Sequence, residues 1–354
     1  MRAVRFHDTR DIRVDDVPEP DADLGPSAVL LRPRLCGICG SDLREYVAGP
    51  IDISREPHPV TGAQMPQILG HEFSADVEAV GRAVSAVRPG DRVVVMPAMF
   101  CGECAYCRRD LQHLCTRIAW TGMNAPWGGM AELAVVEEYQ VTRLPDGVSY
   151  EQGALIEPAA VVVNAVHRAG VRAGDAVLVT GAGPIGALSV LAARAAGAGQ
   201  VFLSEPNDDR AARAVSVEPD AVLNPVSSDI CTELRERTGG LGVDVAIECS
   251  GNGTALQTCL QAVCARGTVV QVGLHVGDVP IDAAALTERE LTLVGVHVYP
   301  VSDFARIAAQ IDSGTLPVER VVTSTIALED AVYSGFDALV DPAATDIKIL
   351  VATG

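Results

Sequence analysis

Lysine is all but missing from this chain: Lys348 is the only one in 354 residues, so arginine carries nearly all of the positive charge. The shortage reads as a compositional bias of the source rather than a mechanism. Lys and Arg together number 27 against 46 Asp and Glu, for a formal net charge of −19. Binding to DNA or RNA phosphates draws on clustered Lys and Arg. The net charge therefore works against a non-specific nucleic-acid role, and the acidity reads as a well-solvated surface that resists aggregation. Also missing is any apolar run of the ~18–20 residues that a membrane helix needs. The opening stretch MRAVRFHDTRDIRVDDVPEP is charged throughout and lacks the apolar core of a signal peptide. These absences point to the reducing cytoplasm and to no membrane partner. In that compartment ten cysteines rarely form structural disulfides.

Internal repeats and low-complexity linkers are absent too. What is present is ample core material, with 48% hydrophobic residues in a 354-residue chain. A single core seldom grows beyond ~250–300 residues, so the length suggests two domains. Residues 1–150 carry short β-prone runs (AVLLRPRL, DVEAVG, DRVVVMPA) broken by Gly, Pro and Asp, as in a compact, mostly β unit. From about residue 170 the pattern changes to alternating strands and helices, beginning DAVLVT, IGALSVLAARAAGA, QVFLSE, NDDRAARAV. AVLN, DVAIECSG, GTVVQVG and LTLVGVHV continue the strands. Such alternation predicts a parallel sheet with covering helices. An amphipathic helix, SDFARIAAQIDSG, and a strand, DIKILVA, are predicted in the last fifty residues.

GAGPIG places Gly181, Gly183 and Gly186 in GxGxxG spacing, after a predicted strand and before a predicted helix at Pro184–Ile185. That context turns a weak hexapeptide into a dinucleotide site. Gly181 permits the tight turn, Gly183 lets backbone approach a pyrophosphate, and Gly186 allows close helix–strand packing. The helix N-terminus offers free N–H groups to phosphate. Glu205, ending the next strand, is placed to accept hydrogen bonds from the adenosine ribose and to repel a 2′-phosphate, which favours NAD over NADP. Arg210 is the residue that could rescue the phosphate. Val272, Gly273 and Leu274, at a later strand end, present backbone to the nicotinamide amide.

CGECAYCRRDLQHLC packs Cys101, Cys104, Cys107 and Cys115 into fifteen residues. Its spacing differs from the iron–sulfur runs, and four thiolates satisfy the tetrahedral preference of zinc with no position left open. This lobe reads as a structural zinc site. A second, scattered set comprises Cys36 and Cys39 in CGICGSD, His71 and Glu72 in GHEFSA, and Glu157 in IEPAA. Thiolate, imidazole and carboxylate together suit zinc, and three protein ligands leave a fourth place for water or substrate.

The order GxCGSD, GHE, four-cysteine lobe, GxGxxG closely resembles the zinc-containing medium-chain alcohol and polyol dehydrogenases, and it runs through essentially the whole chain. CGICGSDLREYVAGPI with EPHPVTG and GHEFSA looks most like the (R,R)-2,3-butanediol dehydrogenase branch. The resemblance implies an α/β fold in which a Rossmann doubly wound parallel sheet is joined to a mostly β, GroES-like catalytic domain. The division it implies is 1–158 (catalytic), 159–297 (NAD-binding) and 298–354 (return to the catalytic domain). It makes Cys39, not Cys36, the catalytic thiolate, His71 the imidazole ligand, and Glu157 or Glu72 the carboxylate. Ser41 matches the hydroxyl that contacts the alcohol, and Asp42 a residue steadying the site from behind. The family often has His where this chain has Arg44, and arginine keeps its proton at working pH. Two zincs per chain, NAD, a small alcohol, diol or hydroxyketone substrate, and a homodimer or homotetramer follow as expectations.

Other readings are a polyol (sorbitol-like) or threonine dehydrogenase on the same scaffold, and a silent nucleotide-binding protein that has lost its open metal position. A zinc-dependent nucleic-acid module would need a basic patch around the cysteine lobe, which offers Arg108 and Arg109 in an acidic chain.

Overall fold

A computed structural model describes residues 1–341 and 343–354. Its six-stranded sheet is parallel throughout. It is ordered Ala221–Leu223, Gln200–Ser204, Ala176–Thr180, Val243–Glu248, Val263–Gln271, Thr292–Gly295. Counted in chain order this is 3-2-1-4-5-6, the order of the dinucleotide-binding doubly wound fold. The strand order reverses between Ala176–Thr180 and Val243–Glu248, while the strands stay parallel, which opens a crevice at their C-terminal ends. Val177, Leu178 and Val179 are fully buried, as a central parallel strand covered on both faces requires.

The helix Pro184–Ala195 starts where the sequence predicts. Gly183 is its N-cap and Pro184 its first residue, where a missing N–H costs nothing. Its small, mostly buried face packs on the helix Ile156–Ala169. That helix ends at Gly170, whose φ of +70° is the left-handed stop. It also runs across the division expected at 158/159, and its first turn carries Glu157.

A seven-stranded mixed sheet forms the other part of the molecule. It runs Val141–Arg143, Arg92–Val95, Glu72–Val80, Ala28–Gly37, Lys348–Ala352, Val322–Ala327, with Ala134–Glu137 also pairing Ala28–Gly37. The strand Lys348–Ala352 thus lies beside Ala28–Gly37, so segments from both ends of the chain build this sheet. Phe304, Ile307, Ala308 and Ile311 are buried along Phe304–Asp312, the i, i+3, i+4, i+7 stripe of the predicted amphipathic helix. One continuous core, from Val94 through Val177 and Ile247 to Leu350, joins the two sheets.

Candidate active site

Cys39 precedes the helix Gly40–Ala48 as its N-cap. Three residues on, Asp42 is fully buried and accepts from the Cys39 amide through Oδ2 at 2.9 Å. Its Oδ1 lies 3.5 Å from His71 Nδ1, across from the adjoining strand Glu72–Val80. Gly70, at φ +98°, turns the chain into that strand. A carboxylate behind one imidazole nitrogen fixes the ring and leaves the other for a ligand. Here that other nitrogen, Nε2, lies 3.3 Å from Ser41 Oγ.

The ligand atoms of Cys39, His71 and Glu72 all fall within 4.8 Å of one another. Burial alone would push the His71 imidazole down, but the charges of Asp42 and Cys39 outweigh it and hold the ring well above the ordinary value. Such a cluster binds a proton tightly where it could bind a cation. The donor set of sulfur, nitrogen and oxygen fits zinc.

The two carboxylates differ in their surroundings. Glu72 is 1% exposed and is paired through Oε2 with the ammonium of Lys348, which also donates to the Ile38 carbonyl at 2.9 Å. Lys348 is itself 0% exposed. Burial would lower its pKa, yet the charges of Glu72 and Cys39 raise it. Glu157 stands outside the compact triad of ligand atoms. Its Oε1 accepts from the Tyr299 hydroxyl at 2.7 Å. Burial pushes the Glu157 carboxyl up to about 7; the charge of nearby His71 pulls it down and that of Glu72 pushes it up. Cys36, read as a small buried residue, is 0% exposed with its thiol turned to the Gly37 carbonyl.

The cysteine lobe is built around its sulfurs. Neighbouring Sγ atoms of Cys101, Cys104, Cys107 and Cys115 lie 3.5 to 4.0 Å apart. Four thiolates at a zinc–sulfur distance of about 2.3 Å would stand roughly 3.8 Å apart at tetrahedral corners, whereas a disulfide needs about 2.05 Å. Backbone amides point at the sulfurs, Cys104 N to Cys101 Sγ and Cys107 N to Cys104 Sγ, each at 3.4 Å. The amides of Cys107 and Thr116 bring the Cys104 thiol down to about 5. All ten cysteines are free.

At the crevice, Gly181 has φ +91° and its carbonyl would lie 1.7 Å from a Cβ on Gly186. Glu205 is buried at 3% exposure, and its carboxylate accepts from Ala182 N at 2.8 Å and Asn207 N at 3.0 Å. It therefore braces the glycine turn from below, a contact that motif spacing does not reveal. Arg210 sits in the helix Asp208–Arg213, its amide capped by Asn207 Oδ1 at 2.9 Å. Val272 and Gly273 both donate their amides to the Glu248 carbonyl, at 2.9 and 3.0 Å, and Leu274 is exposed. Sequence reasoning missed Glu248. This fully buried carboxylate accepts from Ser250 N at 2.7 Å, Gly251 N at 3.1 Å and Gln271 Nε2 at 2.7 Å, joining the two loops that face the crevice. It missed Tyr299 as well.

Known proteins share this architecture. Residues 25–146 match the model described as "Alcohol dehydrogenase GroES-like domain", and 184–313 match "Zinc-binding dehydrogenase". An (R,R)-butanediol dehydrogenase of Bacillus subtilis is 36% identical over 352 residues, covering 99% of both chains. An L-threonine 3-dehydrogenase of Pyrococcus horikoshii is 36% identical over 326 residues, covering 91% of this chain and 87% of its own. The crystal structure of a 2R,3R-butanediol dehydrogenase from Bacillus subtilis superposes with a TM-score of 0.92 at 35% identity, covering 100% of this chain and 99% of that one. Matches that extend through both sheets at this level of identity leave no other placement: the chain belongs to the zinc-binding alcohol dehydrogenases with a GroES-like domain.

Proposed function

We propose that this protein oxidises a secondary alcohol, reversibly and with NAD, and that its substrate is a vicinal diol such as 2,3-butanediol, with acetoin as the ketone. The observation that carries the reading is the convergence of Cys39, His71 and Glu72 within 4.8 Å, beside Ser41. When bound, zinc supplies Lewis-acid polarisation of the substrate oxygen and NAD supplies the hydride acceptor. Cys39, His71 and one of Glu72 and Glu157 would hold the catalytic zinc, and the four lobe cysteines the structural one.

The chain's own residues do the rest. Ser41 takes the alcohol proton and passes it outward. Asp42 fixes the His71 ring, and Lys348 neutralises Glu72 so that the site does not accumulate unpaired negative charge. Gly181, Gly183 and Gly186, with the start of the helix Pro184–Ala195, receive the pyrophosphate, and Glu205 the ribose side. Arg44, paired with Asp52, cannot release its proton. Either water, the ribose hydroxyls or another side chain carries the proton, or turnover near neutrality is less efficient than with histidine there.

Residues 1–158, 159–297 and 298–354 serve in this reading as catalytic domain, nucleotide domain and return. Among the described residues no helix is long and apolar enough to cross a membrane. The cytoplasm is the compartment that suits free thiols and NAD. We also infer self-association to a homodimer or homotetramer through the edge strand Thr292–Gly295. A second substrate class, the 3-hydroxyl of threonine, is kept open by the likeness to the threonine dehydrogenase over 91% of this chain, since neither metal nor cofactor motif reads the substrate.

The test is zinc content together with NADH formation on (R,R)- and meso-2,3-butanediol, sorbitol and threonine, for the unmodified protein and Cys39→Ser. Two zincs per chain and activity on a diol are expected, falling to about one zinc and no activity in the variant with its fold kept. Absence of NADH from every one of these substrates, with zinc present, rejects the proposal.

A further inference from the structure

Glu248 closes the strand Val243–Glu248, beside the point where the sheet order reverses, with its side chain fully buried. Among the described residues no arginine or lysine pairs with it, and the basic group that stands near is His275, Nε2 to Oε2 at 3.5 Å. A buried carboxylate without a strong cation has to be held by donors, and this one collects them from two separate turns. In the turn that follows its own strand, Ser250 N donates to Oε1 at 2.7 Å and Gly251 N to Oε2 at 3.1 Å. At the end of the next strand, Gln271 Nε2 donates to Oε2 at 2.7 Å and to the Gly273 carbonyl at 2.6 Å.

The two turns touch through backbone. A Cβ on Gly273 would lie 2.2 Å from the Gly251 amide nitrogen and 2.6 Å from Glu248 Oε2. One on Gly251, at φ +67°, would lie 2.5 Å from the Leu274 carbonyl oxygen. On its other side the first turn abuts the glycine motif. Cys249 N donates to the Thr180 carbonyl at 3.1 Å, and a Cβ on Gly181 would lie 3.1 Å from Ser250 Cβ. The carboxylate thus ties the Val272–Leu274 backbone to a turn already packed on the glycine motif, with Gln271 as the crosspiece. Ligands of open parallel sheets bind outside the strand ends at such a reversal. We propose that Glu248 is a positioning residue for the cofactor: with Gln271 it fixes the spacing between Ser250–Gly251 and Val272–Leu274, and so places the backbone that receives the nicotinamide end of NAD. The inference rests on the NAD reading above and adds which side chains hold that backbone in place.

Glu248→Gln keeps the shape of the side chain but turns one acceptor into a donor. Whether the new NH2 faces Ser250, or Gly251 and Gln271, it meets groups that also donate. Hydrogen bonds to an ionised group are among the stronger ones, so the Kd for NADH, read by fluorescence titration, is expected to rise at least about tenfold with both zincs retained. ADP-ribose carries the adenosine and pyrophosphate but no nicotinamide, and its Kd should rise less than about threefold. Gln271→Met cuts the crosspiece and strands no charge. It is expected to raise the NADH Kd about fivefold, again sparing ADP-ribose.

Melting temperature and zinc content are read on the same samples. An NADH Kd unchanged from the unmodified protein in both variants would overturn the proposal. So would an equal loss of NADH and ADP-ribose affinity, which marks general damage to the nucleotide-binding part rather than misplacement of one end. Should Glu248→Gln fail to fold, Gln271→Met decides by the same two criteria. The unmodified protein separates the levels. If it binds neither NADH nor ADP-ribose, the NAD reading falls and takes this one with it. If it binds both and the variants match it, only the role of Glu248 and Gln271 falls.

Discussion

Lys348 is where composition and chemistry meet. The near absence of lysine reads from the sequence as bias, yet the one that remains is sealed at 0% exposure against Glu72. Nothing in the local sequence DIKILVA marks it, because its partner lies 276 positions earlier. Breaking a buried ion pair by removing one partner typically costs about 3–5 kcal/mol, since the other charge is left unpaired. Lys348→Met is accordingly expected to lower the unfolding free energy by that order, measured by urea titration. Adding Glu72→Leu should restore part of the loss, because it removes the stranded charge. The convergence of side chains was legible in part: CGSD and GHE single out Cys39 and His71, which the fold brings together with Glu72. The direction of Glu157, and the tyrosine it leans on, were not, because a contact spanning 142 positions leaves no trace in spacing.

Among elements, the glycine turn offers a sharper test than the metal ligands. A Cβ at Gly183 would meet nothing within 4 Å, while one at Gly186 would lie 1.7 Å from the Gly181 carbonyl. The two glycines therefore fail differently. Gly183→Val is expected to melt within a few degrees of the unmodified protein but to weaken NADH binding at least tenfold, about 1.4 kcal/mol, by blocking backbone approach to the pyrophosphate. Gly186→Val forces helix from strand, and overpacking of that kind typically costs about 1–3 kcal/mol. Differential scanning calorimetry and NADH fluorescence separate the two. The strands of the parallel sheet and the helix Pro184–Ala195 were readable because each is an apolar run or an alanine-rich stripe closed by turn residues; the helices Ile230–Arg237 and Gly253–Ala262, more polar and less regular, were not named. The short strands outside the two large sheets were harder. Gln67–Ile68, Ala98–Met99 and Ala119–Trp120 have two residues each, too few to establish a period. Glu205 was legible as a strand-end acid, but not its grip on the Ala182 amide.

For the molecule as a whole, the outer parallel strand Thr292–Gly295 is the exposed feature. Among the described residues only one side of it is paired, and Leu293, Leu274 and Val276 are exposed nearby. An unpaired edge is a template for a second chain. Leu293→Lys is expected to shift sedimentation velocity toward the single chain at micromolar protein, while zinc content and the melting of each chain change little. A surface of net charge −19 opposes non-specific clumping, so contact between copies would be confined to such an edge. The two-part architecture was visible in the change of pattern near residue 170. The helix that spans the expected boundary was not, since IEPAAVVVNAVHRA reads equally well as the end of one part or the start of the next.

The strand Lys348–Ala352 lies between Ala28–Gly37 and Val322–Ala327 and supplies the ammonium behind Glu72. No contiguous cut of the gene can therefore yield the metal-holding half by itself. A fragment ending at residue 158 would expose the flank of a central strand and strand a buried acid. Dissection of this enzyme has to excise a middle segment and rejoin both ends, and a cut at 158 would sever the helix Ile156–Ala169 within its first turn.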